Sequence, residues 1–109
     1  MRTLDVYYNE TKAGVLTEIN PGVGYTFKYE PDYISSDLPP ISATLPKQVD
    51  AFESDSLFPF FTNMIPEGAN RGVICRTLRI DKKDFFGILS AMAGKDFIGA
   101  VNIRTSRHD

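Results

Sequence analysis

The chain has 109 residues, 42% of them apolar, and a net charge of −2, which suits one folded domain with a modest core rather than a disordered chain. No stretch approaches the ~18 apolar residues of a membrane-spanning helix, and the N-terminus carries no apolar leader. The single cysteine excludes an internal disulfide and suits a reducing compartment, so the expected setting is cytoplasmic.

The first half reads as strands. Leu4, Val6 and Tyr8 alternate with Asp5, Tyr7 and Asn9, the period-2 signature of a half-buried strand. A polar turn from Asn9 to Gly14 leads into a second strand over Gly14–Ile19. The turn formers Asn20-Pro-Gly-Val-Gly24 precede a third, in which Tyr25, Phe27 and Tyr29 make one aromatic face. Short turns between three strands predict an antiparallel meander. Glu30–Asp37 reads as a loop with one helical turn. Pro39-Pro40 then opens an extended stretch in which Ile41, Ala43 and Leu45 alternate with Ser42 and Thr44 up to Pro46, a fourth strand at a sheet edge.

The second half changes period. Ser54 or Asp55 is placed to cap a short helix over Leu57–Met64, where Pro59 is tolerated only in the first turn. Pro66 opens another helix from about Glu67 to Leu78. Its expected apolar stripe is Ala69, Val73 and Thr77, flanked by Ile74 and Leu78. Asp81 is expected to cap a third helix, with Asp84 in its first turn, Phe85, Ile88, Leu89 and Met92 as its apolar stripe, and Gly94 as its C-cap. Gly99–Arg104 reads as a last strand that returns to the sheet to cover an edge. The fold class is therefore α+β: a small antiparallel sheet or partly closed barrel, with two or three short helices on one side, over a single domain of residues 1–109.

Charge is uneven along the chain. Residues 1–66 are net −5 and residues 67–109 net +3. Arg71, Arg76, Arg79, Lys82 and Lys83 form a basic cluster, open to two readings: solvated helix faces or a meeting point for an acidic partner. The acidic pI and the lack of any base-reading motif argue against direct nucleic-acid binding.

Searches for catalytic chemistry fail in turn. The one His (His108) and the one Cys (Cys75) give no metal cluster, and Cys75 reads as a small buried hydrophobe. Gly22-Val-Gly24 lacks the setting of a phosphate loop. Glu53/Asp55 and Asp81/Asp84 sit at helix starts, where capping accounts for them. No catalytic, cofactor-binding or metal site is expected. What stands out is Phe58, Phe60, Phe61, Met64 and Ile65, five large apolar side chains within eight residues. A short helix has no single face wide enough for all five, so some are expected in the core and at least one as an exposed anchor.

Three blocks, Pro40-Ile-Ser-Ala-Thr-Leu-Pro46, Phe60-Phe-Thr-Asn-Met-Ile-Pro-Glu-Gly68 with Arg71, and Gly94-Lys-Asp-Phe-Ile-Gly-Ala-Val101, occur in the order and spacing of the amino-terminal subdomain of HipA-like Ser/Thr kinase toxins. With the early hairpin and the Tyr25–Tyr29 strand, the resemblance covers nearly the whole chain. Full-length members continue into a kinase core and are held by a DNA-binding HipB-type partner. This sequence stops at Asp109, before any kinase machinery. A split form of the system, HipBST, is known, in which a short HipS protein resembles this subdomain and acts as the antitoxin of a separate kinase, HipT. The resemblance implies a non-catalytic antitoxin that binds a HipT-like kinase in trans, alongside a HipB-like protein in a ternary complex. The alternative is the regulatory N-terminal subdomain of a full-length kinase. The partner-binding residues it points to are Phe58, Phe61, Thr62, Asn63, Met64, Ile65, Pro66, Glu67 and Arg71.

Overall fold

Alternation along the first three strands builds one apolar face, and every helix whose packing is described covers that face. The computed structural model describes residues 2–20, 22–65, 69–81, 83–93 and 100–105. Strands β1 (Arg2–Tyr8), β2 (Thr11–Asn20) and β3 (Val23–Tyr29) form the antiparallel meander. The order β4-β3-β2-β1-β5 completes an open five-stranded sheet, with β4 (Phe52–Ser54) and β5 (Val101–Thr105) at its edges. It is not closed into a barrel. β5 pairs with β1, as expected of a last strand that covers an edge.

Register carries the face across the sheet. Leu4 lies opposite Leu16, Leu16 opposite Phe27, Val6 opposite Ile103, and Gly14 opposite Tyr29. All of these residues are buried. A bulge between Val6 and Tyr7 shifts the register near the first turn. Asn9 (φ 54), Gly22 (φ 75) and Gly24 (φ 82) take the left-handed backbone that tight turns need. Gly14 is required for another reason: a Cβ there would lie 2.5 Å from Lys28 O and 2.8 Å from the Phe27 ring.

The stretch Ile41–Leu45 is not a strand. It holds a single bridge between Ser42 and Leu45, and only Ile41 and Leu45 are buried, while Ala43 is exposed. The reason is tertiary. The Tyr29 hydroxyl accepts from Ile41 N at 3.1 Å and donates to Leu45 O, gathering both ends of the loop onto one phenol. The Tyr33 hydroxyl donates to Pro39 O, and Tyr33 stacks on Tyr29 with centroids 5.7 Å apart. Burial, helped by Tyr29 and Tyr8, pushes the Tyr33 phenol up to about 12. Lys47 Nζ donates to Ser36 O and Leu38 O and sits above the Tyr33 ring. The strand that does pair with β3 is β4, whose Phe52 lies opposite Phe27.

Four helices follow from the sequence with altered boundaries. α1 is the single turn Pro31–Ile34. α2 is Pro59–Thr62, started by Pro59 with Phe58 as N-cap. Ser54 does not cap it; its hydroxyl accepts from Ser56 N instead, and Leu57 is buried ahead of the helix. α3 is Ala69–Leu78. Its expected stripe is not the buried one: Val73, Thr77 and Leu78 are exposed, and Cys75 is the buried side chain among those described. Apolar residues fall on all sides of this helix, so periodicity did not select a face. α4 is Phe85–Met92, capped by Asp84 rather than Asp81. Phe86, Ile88 and Leu89 are buried, and Phe85 and Met92 pack at the core margin. Gly94 lies outside the described residues. No helix among the described residues is long and apolar enough to cross a membrane.

Candidate functional site

Two features concentrate the chemistry of this chain: the aromatic segment 58–65 and a charged cluster between β1, β2 and α4. In the segment, Pro59 presets the helical φ and its missing N–H costs nothing in a first turn. Phe61 N and Thr62 N bond back to Phe58 O, and Asn63 N bonds to Pro59 O. Met64 N and Ile65 N then bond three residues back, tightening the end.

This geometry sorts the five large side chains. Phe58, Phe61 and Ile65 turn into the core. Phe61 is fully enclosed, with its ring centroid 5.7 Å from Phe27, 6.3 Å from Phe58 and 5.2 Å from Phe60. Phe60 and Met64, one turn apart, are half-buried at the margin. Thr62 is half-buried, with its hydroxyl spent on Phe58 O at 3.2 Å, and Asn63 is exposed. Of the expected partner-binding residues, Thr62, Asn63 and Met64 thus form the accessible side, while Phe58, Phe61 and Ile65 support it from beneath. Pro66 and Glu67 lie outside the described residues. Arg71 lies on α3, with its side chain outside that description.

The charged cluster was not foreseen. Glu18 is 2% exposed, yet it carries a carboxylate among core residues. It accepts from Arg2 Nε at 2.7 Å, Gly22 N at 3.2 Å and the Tyr25 hydroxyl at 3.1 Å. The other prong of Arg2 reaches Asp84, which also accepts from Gly87 N at 3.0 Å as the cap of α4. The Arg2 guanidinium stands 5.1 Å from the Phe86 ring centroid. The hydrogen bond to Asp84 raises the pKa of Arg2, and the same bond holds the Asp84 carboxyl below its ordinary value. Burial, then the bond to Glu18, raises the Tyr25 phenol. A signal was present in the sequence: Glu18 falls on the inward beat set by Gly14 and Leu16.

These groups satisfy one another, so the cluster is built as a clamp, with no free acid or base poised for reaction. No three metal-ligating side chains come together among the described residues. Cys75 is buried.

The open sheet, its one covered face and the short aromatic helix define a small α+β module. The family model of the HipA N-terminal domain matches residues 4–104, and the chain belongs to that family. A solved structure described as the N-terminal domain of HipA toxin is similar, with a TM-score of 0.74 and 28% identity, over 100% of this chain and 96% of that one. An uncharacterised protein of Haemophilus influenzae is 36% identical over 84 residues, which is 77% of this chain and 76% of its own length. "Putative kinase Y4mE" of Sinorhizobium fredii is 28% identical over 104 residues, 94% of this chain. This chain spans only 24% of that relative.

Proposed function

We propose that this chain is a non-catalytic binding module of HipS type, an antitoxin that holds a HipT-like Ser/Thr kinase in check in trans. The observation that carries the reading is the Haemophilus influenzae relative. Because 84 matched residues make up 76% of it, it is about as long as this chain, so the module occurs at this length without a kinase attached. The internal pairing of Arg2, Glu18 and Asp84 supports a structural role for the described charges rather than catalysis. In this reading the accessible side of segment 58–65, with Thr62, Asn63 and Met64, faces the kinase, and the buried Phe58, Phe61 and Ile65 keep it in shape. A HipB-like DNA-binding protein completes a ternary complex in the cytoplasm, and contact with DNA runs through that partner.

A second reading rests on the Sinorhizobium fredii relative, in which the matched region is a quarter of a longer protein. There the same module would regulate a kinase within one chain. Co-expression with a HipT-like kinase, taken from a neighbouring reading frame if one encodes it, separates the two. Growth rescue together with co-purification is the antitoxin outcome. Neither rescue nor a complex would reject it and leave the regulatory subdomain.

A further inference from the structure

Helix α3 has a face that is exposed among the described residues. Val73, Arg76 and Thr77 lie at i, i+3 and i+4, on the side away from the buried Cys75, and all three are exposed. Val73 is 52% exposed and Leu78 46%. At the end of the helix Arg79 takes the left-handed backbone (φ 56), and Ile80 N bonds to Cys75 O at 2.9 Å. This closure leaves Arg79 exposed at the tip. Lys83 follows, also exposed.

The cations here differ from most of those on the sheet, where Lys28 alone among the described strand cations has no carboxylate in reach. Arg2, Lys12 and Arg104 each reach a carboxylate within 4.0 Å. Among the described residues, Arg76, Arg79 and Lys83 reach none. Asp81, the acid nearest to Arg76 and Arg79 in sequence, spends one oxygen on Lys83 N at 2.8 Å.

We propose that the outer face of α3, with Val73, Arg76 and Thr77 and with Leu78 and Arg79 at its end, docks onto an acidic protein surface that has an apolar centre. That surface belongs to the kinase, so the inference rests on the reading above. Charge complementarity selects an acidic partner. The exposed Val73 and Leu78 select a protein over a phosphate backbone, and the net −5 of residues 1–66 repels nucleic acid. α3 also follows directly in the chain from the segment assigned to the kinase.

The test measures affinity for a purified HipT-like kinase across a salt series. It uses wild type, Arg76→Glu/Arg79→Glu and the neutral Arg76→Gln/Arg79→Gln. Charge reversal should weaken binding by about tenfold or more, the neutral pair by less, and the salt dependence should flatten in both. The side chains changed are exposed, and the neutral pair serves if the reversal fails to fold. Tight wild-type binding with unchanged affinity and salt slope in both variants would overturn the docking face while leaving the kinase reading intact. No wild-type binding at any salt would overturn both. If kinase binding survives but the variants lose retention on duplex DNA, or lose self-association by sedimentation, the face serves another partner and the proposal is wrong.

Discussion

Arg2 and Asp84, 82 positions apart, are joined by two guanidinium–carboxylate hydrogen bonds of 2.8 and 3.3 Å. The same arginine holds Glu18, so one side chain near the start of β1 ties the second strand to the N-terminus of α4. Replacing Arg2 with Ala should leave a nearly buried carboxylate without its cation. The Arg2 side chain is 41% exposed, which tempers the cost. A loss of about 1–3 kcal/mol is expected in urea unfolding, and Arg2→Lys should recover only part of it because an ammonium cannot fork between two carboxylates.

The pH dependence of this clamp has a definite sign. The Asp84 carboxyl titrates below its ordinary value near 3.8 because Arg2 hydrogen-bonds its charged form. Its stabilising contribution is therefore fully present above that value and is lost as pH falls through the lower, folded-state pKa. Wild type should be more stable than Asp84→Asn by a constant margin between pH 5 and 7, with the margin shrinking below about pH 4. Urea midpoints of the two proteins across this range test it, and a margin independent of pH down to 3 would show that the charge is not the stabilising feature.

Tyr29→Phe removes one oxygen that serves two backbone groups, Ile41 N and Leu45 O. Both are buried ends of a loop with no ladder to replace the bond. A cost of about 1–3 kcal/mol is expected, with faster amide exchange at Ile41. Exchange unchanged at Ile41 would mean that the prolines alone hold the loop.

Phe61 and Met64 should separate folding from binding. Phe61→Ala empties a fully enclosed site and should cost about 3–5 kcal/mol. Met64→Ala, at the half-buried margin, should cost clearly less. In a pull-down with the kinase, Met64→Ala should weaken capture while its melting midpoint stays much closer to that of wild type than the midpoint of Phe61→Ala does. Capture at wild-type strength would remove Met64 from the binding side.

Gly14→Ala should be among the most damaging small changes in the sheet. The added methyl meets backbone on one side and the Phe27 ring on the other, and neither yields without moving β3. A cost of about 1–3 kcal/mol is expected from overpacking, read as a lower thermal midpoint.

The amino-acid sequence alone determined the inward face of β1 and β3, the turn before β3, Pro59 as the first helical residue of α2, most of the apolar stripe of α4, and the family, whereas the first turn, read over Asn9–Gly14, is shorter because β2 already begins at Thr11. The family rests on blocks spread over nearly the whole chain; each of the others is encoded locally, in a period of two or four or in a residue with restricted φ, so a short window suffices to read it. Tertiary structure alone decided that Ile41–Leu45 folds onto Tyr29 instead of pairing as a strand, because two prolines and alternating side chains suit either outcome until a buried hydroxyl is there to collect the backbone. It also decided that Asp84 rather than Asp81 caps α4, since Arg2 approaches only the former. And it sorted the five large side chains of segment 58–65, because which of them turns inward depends on where Phe27 stands across the core, a relation between residues far apart in the chain that no local pattern contains.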